Sequence, residues 1–239
     1  MIMIPKRIIY VWFGNNELPD DVKKYKRRWI KNNPDYEVLE INEHNFDIHS
    51  LKFTDKAYKT GNWAFVSDVA RIWAVNKYGG IYVDTDVDIL KSLDDLLSID
   101  QFWAKEDAGQ VASGLIFGSK KDDEILKEIL KEYKKLDFKE ENKNQLSTVK
   151  IISNILKKHG LKNNKRFNFL DNGAVVYPPI YFAPLHYWGG GKISKKTITV
   201  HNYNASWIGK KRSLVNYVGH QLMYTVPIIG ALVRRIKYR

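Results

Sequence analysis

Three aspartates alternate along the chain directly after a short apolar run. Gly79 and Gly80 are followed by Ile-Tyr-Val, and then come Asp84, Asp86 and Asp88. Because side chains in a strand alternate between two faces, a strand that continued through this run would place all three carboxylates on one face. A divalent cation would relieve the repulsion among three like charges. The run therefore predicts a metal site at the end of a strand.

Two kinds of chemistry use an Asp-x-Asp pair at a strand end. One is phosphoryl transfer through an aspartate nucleophile, and the other is transfer of a sugar from a nucleotide donor whose diphosphate is bridged by a metal. Phosphatases of the haloacid dehalogenase type read Asp-x-Asp-x-Thr/Val, usually close to the amino terminus. Here the fifth position is Asp88 and the motif lies a third of the way along the chain, which counts against a phosphatase. A metal-dependent phosphatase and a nucleotide-sugar-binding module without turnover are the alternatives to a sugar transferase.

A polar pair precedes the aspartates on a helix that the apolar pattern predicts over residues 63–78. Asp68 and Arg71 are three residues apart, so they share a helix face that is distinct from the apolar face of Val66, Val69 and Trp73. By itself this spacing is typical of a surface ion pair, which contributes roughly a few tenths of a kcal/mol. The glycines after the helix end it and turn the chain into the acidic strand.

Composition limits the class of protein and the ligands that it can offer. The 239 residues are 44% hydrophobic, which suits one substantial core in one domain or at most two. Without cysteine, a metal must be held by oxygen and imidazole ligands, which points to magnesium, manganese or calcium. The apolar stretch at the amino terminus is too short for a signal peptide, so the expected location is cytoplasmic.

Positive charge is concentrated in the last part of the chain. The net charge is +12, and the 68 residues after Asp171 contain ten Lys and Arg with no Asp or Glu. Such an asymmetry predicts a polyanion or an anionic membrane surface as a partner. Nucleic acid is not expected, because the chain carries no recognisable nucleic-acid-binding motif.

The pattern of segment 210–239 favours an anionic membrane surface over another polyanion as the partner. Basic residues at 210–212 and at the chain end flank the uncharged stretch 214–233, in which Leu214, Val218, Leu222 and Val226 follow one another at fourfold spacing. This pattern fits an interfacial helix on anionic lipid, with a helix packed on the core as the alternative. Polar residues and a proline make it a poor transmembrane span.

The remaining elements alternate between strand and helix. Strands are predicted over residues 8–13, 36–41, 101–105, 114–118, 167–170, 174–177 and 197–201, and helices over residues 20–31, 122–136 and 145–158. The fold class is therefore α/β, with a mostly parallel sheet covered by helices on both faces. Ligands in such folds bind at the carboxyl ends of the strands, where Asp84, Asp86, Trp12 and Phe13 are expected.

Three blocks of the sequence share the pattern of one enzyme family. The central block is Ser67-Asp68-x-x-Arg71 followed by Tyr78-Gly79-Gly80-Ile81-Tyr82-Val83-Asp84-Thr85-Asp86, the first block is Ile4 to Gly14, and the late block is His201-x-x-x-x-Ser206-Trp207. Together they resemble glycosyltransferase family 32, the capsular polysaccharide and mannosyltransferase group, in its sugar-binding region with a DXD motif. They also look like the catalytic domains of the large clostridial glucosylating toxins.

The resemblance implies a GT-A fold over residues 1–209, a Mn²⁺ or Mg²⁺ cofactor, and transfer with retention of configuration. It implies that Asp86 ligates the metal, that Asp84 contacts the donor or a metal-bound water, and that His201 completes the metal site or contacts the diphosphate. The donor-binding set that it implies comprises Trp12, which would stack on the nucleobase, Phe13, Ser67, Asp68, Arg71, Tyr82, Asp84, Ser206 and Trp207.

Glu106 and Asp107 are the candidates on the acceptor side, because they follow a predicted strand end. An inverting transferase would need such a carboxylate as general base, whereas a retaining one can pass the proton to the departing phosphate. The expected reaction moves a hexose from a UDP- or GDP-sugar to a glycan or lipid-linked acceptor, in bacterial capsular or exopolysaccharide synthesis. The expected location is peripheral, on the inner face of the cell membrane.

Overall fold

Gly80–Val83, the strand that precedes the aspartates, lies inside a seven-stranded sheet. The computed structural model describes residues 4–106, 109–141, 146–186 and 190–203. Numbered along the chain, the strands are β1 (Arg7–Val11), β2 (Glu37–Ile41), β3 (Gly80–Val83), β4 (Val87–Ile89), β5 (Gln101–Ala104), β6 (Ile116–Ser119), β7 (Asn168–Phe169), β8 (Val175–Tyr177) and β9 (Thr199–His201).

The sheet confirms the prediction of a mostly parallel α/β architecture. Its order is β2-β1-β3-β6-β5-β8-β7, and β4 and β9 form a separate two-stranded sheet. Strands β2, β1, β3, β5 and β8 run in one direction, and only β6 and β7 run the other way among these seven. The carboxyl ends of β1, β3, β5 and β8 therefore meet at one edge, which we call the carboxyl edge.

Helices cover both faces of the sheet. Ile9 and Tyr82 belong to one apolar cluster, and their chain neighbours Ile8 and Ile81 belong to a second cluster on the opposite face, as strand alternation requires. The helices are α1 (Asp20–Asn32), α2 (Lys52–Lys59), α3 (Trp63–Tyr78), α4 (Glu124–Lys135), α5 (Thr148–Lys158) and α6 (Pro179–Phe182). The first cluster also contains residues of α2, α3, α4 and α5, and the second contains residues of α1 and α6.

Helix α3 has the predicted bounds, and it ends because Gly79 adopts a φ of 65°, in the left-handed region that favours glycine. A side chain at Gly79 would also approach Pro5 Cγ and Cδ to 2.9 Å. The close contact and the positive φ together explain why glycine opens the strand that leads to the aspartates.

The three aspartates do not lie on one continuous strand, so the expectation of a shared strand face is wrong. Strand β3 ends at Val83, the chain turns through residues 84–86, and Val87 begins β4. Strand β4 leaves the large sheet because it pairs antiparallel with β9, with Val87 opposite His201. This pairing brings together parts of the chain that are far apart in sequence.

No helix in the described ranges combines the length and the apolar character that crossing a membrane would require. The segment 210–239, for which an interfacial or core-packed helix was predicted, lies outside the described residues.

Candidate active site

The turn between β3 and β4 holds Asp84 in a fixed position. The Asp84 amide donates to the Leu115 carbonyl at 3.1 Å, and the Val87 amide donates to the Asp84 carbonyl at 3.0 Å. The Asp84 carboxylate accepts from the Thr85 amide at 2.9 Å and from the Tyr82 hydroxyl at 3.2 Å. Asp84 is held by these bonds and is partly exposed at the carboxyl edge, which is where the sequence analysis expects it.

Arg71 of α3 is buried beside this turn, so its pairing with Asp68 is not the surface ion pair that the spacing suggests. Arg71 and Asp68 are 5% and 9% exposed, and the Arg71 Nη2 lies 3.1 Å from Asp68 Oδ1. The Arg71 Nη1 lies 3.9 Å from Asp84 Oδ2, and the guanidinium stacks over the Tyr82 ring at 5.0 Å. One buried cation therefore joins helix α3 to the Asp-x-Asp turn.

Burial changes the acidity of both carboxylates around this cation. Burial raises the pKa of Asp68 to about 6, an effect that the positive charge of Arg71 opposes. Burial also raises the pKa of Asp84, again opposed by Arg71 and reinforced by Asp86. The Arg71 Nη1 is buried and has no hydrogen-bond acceptor among the described residues. A buried donor of this kind can bind an oxygen of a ligand at little extra desolvation cost.

Asp86, His201 and Glu106 form a second polar group across the turn. His201 Nε2 lies 3.1 Å from Asp86 Oδ1, and His201 Nδ1 lies 3.3 Å from Glu106 Oε1. The β4–β9 pairing fixes this contact, and Asn202 strengthens it by donating from its amide and side chain to the Asp86 carbonyl, each at 3.0 Å. The structure thus brings together the predicted residues Asp86 and His201 and adds Glu106 to them.

The two carboxylates beside His201 favour a positive charge at this position. Burial disfavours the imidazolium, but the attraction of Asp86 and Glu106 outweighs burial and raises the pKa of His201 to about 10. A metal ion would take the place of the proton, because a ligating histidine is neutral.

A divalent cation fits Asp86 and His201 if the substrate supplies further ligands. In the described ranges no three His, Asp or Glu side chains converge to form a complete metal cage. Mg²⁺ typically uses one or two carboxylates together with phosphate oxygens, so an incomplete protein set suits a diphosphate substrate. Glu106 on the second nitrogen of His201 also matches the carboxylate that commonly orients a metal-binding histidine.

The other predicted donor-binding residues divide between the edge of the sheet and its core. Trp12 follows β1 and is partly exposed, with its indole Nε1 donating to the Asn16 carbonyl at 2.7 Å. Since β1 pairs with β3, Trp12 lies at the same edge as Asp84. Phe13 is different: it is 5% exposed and packs against Phe46, so its ring lies in the core rather than toward a ligand.

Two further predicted residues contact other site residues. Tyr82 is 1% exposed; its hydroxyl donates to Asp84 and its ring lies under the Arg71 guanidinium. The Ser67 carbonyl accepts from Arg71 Nε at 3.0 Å. Both residues position the charged groups of the site.

Asp88 points away from the other two aspartates. It is 7% exposed, and its Oδ2 lies 2.5 Å from the Nη1 of Arg28 on α1. This ion pair ties β4 to α1 and sets Asp88 apart from the Asp84–Asp86 turn.

Asp107, Ser206 and Trp207 lie outside the described residues. Gly114 is a site residue that the sequence reasoning missed. A Cβ at Gly114 would lie 2.7 Å from Arg71 Nη1 and 3.5 Å from Asp84 Oδ2, so glycine leaves room for the guanidinium. The only sequence signal was a glycine at the start of a predicted strand.

The site so far is an Asp-x-Asp turn that an α/β sheet places beside a buried arginine. Comparison with known proteins agrees with this geometry. Residues 19–103 match the family model described as "Glycosyltransferase sugar-binding region containing DXD motif". The matched region includes Ser67, Asp68, Arg71, Asp84 and Asp86, and it ends before Glu106 and His201.

A curated relative is an uncharacterized glycosyltransferase of Acanthamoeba polyphaga mimivirus, 30% identical over 110 residues. The match covers 42% of this chain and 43% of that relative, so the chain spans less than half of the relative's length. Both matches are to glycosyltransferase sequences, in agreement with the resemblance seen in the sequence.

The fold is similar to that of the solved PaToxG glycosyltransferase, with a TM-score of 0.54 at 17% identity over 65% of this chain and 69% of that one. This likeness confirms the GT-A-like fold class. A glycosyltransferase involved in the glycosylation of the major capsid of PBCV-1 aligns over 83% of this chain and 94% of its own at 13% identity. Its TM-score of 0.43 is too low to carry an argument about the fold.

Proposed function

We propose that this protein is a metal-dependent glycosyltransferase that moves a hexose from a UDP- or GDP-sugar to a glycan or lipid-linked acceptor. The observation that carries the proposal is the Asp84–Asp86 turn, which lies between a buried arginine and a largely covered histidine. The two sides of the turn have different tasks. Arg71 and Asp68 supply donor and acceptor groups for hydroxyls, whereas Asp86 and His201 supply ligands for a cation.

In this proposal Asp86 and His201 hold a Mn²⁺ or Mg²⁺ ion, which when bound would stabilise the charge of the departing diphosphate as a Lewis acid. Asp84 contacts the donor from a position fixed by Tyr82 and the Thr85 amide. Trp12 stacks on the nucleobase, and the free hydrogen-bonding capacity of Arg71 Nη1 binds a donor oxygen.

Glu106 acts in this proposal through His201. Its carboxylate lies 3.3 Å from His201 Nδ1, and its negative charge favours the ring orientation that directs Nε2 toward Asp86. This role makes Glu106 a positioning residue and leaves the acceptor proton to the departing phosphate, as a retaining reaction allows. The bond from the anomeric carbon to the diphosphate breaks, and the bond to the acceptor oxygen forms on the same face of the sugar.

The cellular role that we propose is bacterial capsular or exopolysaccharide synthesis at the inner face of the cell membrane. The supporting observation is the absence of acidic residues after Asp171, which suits an anionic surface close to a lipid-linked acceptor.

Slow hydrolysis of the donor tests the activity. Wild-type protein incubated with Mn²⁺ and a panel of UDP- and GDP-sugars should release nucleotide from at least one of them. Asp86→Asn should lower that rate on the order of a hundredfold, because it removes the negatively charged ligand that holds the cation beside the neutral imidazole of His201. The exposed Asp95→Asn serves as the matched control and should retain the wild-type rate.

The other outcomes of this assay identify the alternatives. Release of inorganic phosphate from simple phosphomonoesters would indicate a phosphatase. Donor binding without release of nucleotide would indicate a binding module. If the wild type neither hydrolyses nor binds any donor with metal present, the transferase proposal is wrong.

A further inference from the structure

Four exposed apolar side chains lie within one stretch of the chain. Phe167, Phe169, Ile180 and Ile193 are 38%, 73%, 40% and 49% exposed. In the described part of the chain, Ile30 on α1 is the one other large hydrophobic residue that is similarly exposed. Single exposed apolar residues are normal on a protein surface, but a group confined to a short stretch indicates a contact surface.

Contacts between their neighbours bring these segments together in space. The Phe167 ring lies 5.1 Å from the ring of Tyr177 and 5.2 Å from that of Tyr181, next to Ile180 in α6. The segment that carries Ile193 is attached to the same helix, because the Thr197 hydroxyl donates to the Ile180 carbonyl at 3.0 Å. The Ser194 amide in turn donates to the Thr197 hydroxyl at 3.0 Å.

Exposed cations accompany the apolar side chains. Arg166 precedes Phe167, and Lys192, Lys195 and Lys196 flank Ile193, all of them exposed. No acidic residue occurs in the sequence from 162 to 170 or from 172 onward. The combination of exposed apolar residues with cations on one surface matches the chemistry of an anionic lipid interface.

This surface lies at the same edge of the sheet as the candidate active site. Tyr177 ends β8, and Phe167 precedes the antiparallel strand β7, so both lie at the carboxyl edge. Lys105, directly before Glu106, holds the adjoining loop by donating to the carbonyls of Asn164 and Arg166 at 2.7 and 3.2 Å. A flat partner in contact with this surface would therefore lie beside Glu106 and the candidate active site.

We propose that this surface, which we call the edge patch, docks the folded domain on an anionic lipid bilayer. The edge patch comprises Phe167, Phe169, Ile180 and Ile193 with the cations Arg166, Lys192, Lys195 and Lys196. It is distinct from the segment 210–239. A glycan platform is less favoured, because isoleucine has no flat face on which a sugar ring can stack, and a polar acceptor would not require it.

Vesicle sedimentation of the full-length chain, without donor or metal, tests the proposal. The probes are phosphatidylcholine vesicles with and without phosphatidylglycerol. Phe169→Ser with Ile193→Ser should lower the partition coefficient on phosphatidylglycerol vesicles about tenfold, because two apolar side chains lose their place in the interface. Lys192→Glu with Lys196→Glu should lower it by at least a similar factor. Ile30→Ser and Lys31→Glu on α1 are the matched controls and should bind like the wild type.

The outcomes separate this proposal from the enzymatic one. All six substituted positions lie on the surface outside the site, so the variants should hydrolyse donor in solution at the wild-type rate. Wild-type binding by the edge-patch variants would overturn the proposal, and so would equal losses in the α1 controls. Failure of the wild type to sediment with any vesicle would also overturn it, whatever the donor assay shows.

Discussion

At the scale of single residues, Arg71 connects the parts of the candidate site. Its guanidinium lies between Asp68 and Asp84, over the ring of Tyr82, and one of its nitrogens has no acceptor in the part of the chain that the structure describes. Removing one partner from such a buried group leaves an uncompensated charge, which costs about 3 to 5 kcal/mol. Small changes around Arg71 are therefore better tests of its role than its deletion.

Gly114→Ala provides such a change. The added Cβ would meet Arg71 Nη1 at 2.7 Å, and the guanidinium would have to move away from Asp84. We expect a loss of stability of about 1 to 3 kcal/mol, as for other overpacked sites, and a fall in kcat/KM for donor hydrolysis of roughly tenfold or more.

Urea denaturation and donor kinetics measure the two effects separately. Ser113→Ala, at the neighbouring buried position, is the control and should retain donor turnover. A folded Gly114→Ala protein with normal kinetics would show that the position of Arg71 does not matter for the donor.

At the scale of secondary structure elements, two long-range attachments shape the carboxyl edge. The pairing of β4 with β9 places His201 beside Asp86. Lys105, at the end of β5, is fully buried and holds the loop of residues 162–168. Its ammonium, which has three N–H donors, lies within hydrogen-bond distance of five oxygens, which are the carbonyls of Lys162, Asn164 and Arg166 and the side-chain oxygens of Asn164 and Asn168.

Lys105→Met tests the second attachment. The substitution keeps much of the side-chain length but removes the ammonium from these oxygens, so we expect a loss of stability of about 3 kcal/mol. Because the loop carries Arg166 and Phe167, binding to phosphatidylglycerol vesicles should fall as well.

Chemical denaturation and the sedimentation assay check these two effects. Lys162→Met removes an exposed lysine from the same loop and should change stability by less than about 0.5 kcal/mol. Equal stability of the Lys105→Met and wild-type proteins would show that the buried ammonium does not hold the loop.

At the scale of the whole molecule, one sheet with a core on each face carries both the candidate site and the edge patch at its carboxyl edge. Charge is also separated along the chain: Asp171 is the last acidic residue, and the ten Lys and Arg after it have no acidic residue among them. Two weak attachments, the edge patch and the segment 210–239, would together give a stable peripheral association where either alone is marginal.

Truncation after Arg212 tests the second attachment. Loss of the apolar stretch and of the four terminal cations should abolish sedimentation with anionic vesicles, because the edge patch alone binds weakly. Donor hydrolysis in solution reports whether the shortened protein is folded. Unchanged sedimentation of an active truncated protein would show that the segment does not contact lipid.

The local patterns of the sequence determined the elements and the type of chemistry. The bounds of α3 follow from its apolar repeat and from the glycines that end it, and the α/β class follows from the alternation of helices and strands. The alternating aspartates indicated a metal site, and the resemblance of the blocks that carry Asp68, Arg71, Asp84 and Asp86 to a glycosyltransferase family implied sugar transfer. These features depend on residues that are close in the chain, where periodicity and turn chemistry act directly.

The tertiary structure alone decided which charges meet. The contacts of His201 with Asp86 and Glu106 join segments about a hundred residues apart, and no local pattern encodes the β4–β9 pairing that makes them. Whether Asp68 and Arg71 form a surface pair or a buried one depends on what packs over α3, and the spacing is the same in both cases. The turn after Val83 likewise arises because β4 finds its partner in β9 rather than in the large sheet. Burial and long-range strand pairing are properties of the assembled fold, and they convert a row of aspartates into a site with two distinct sides.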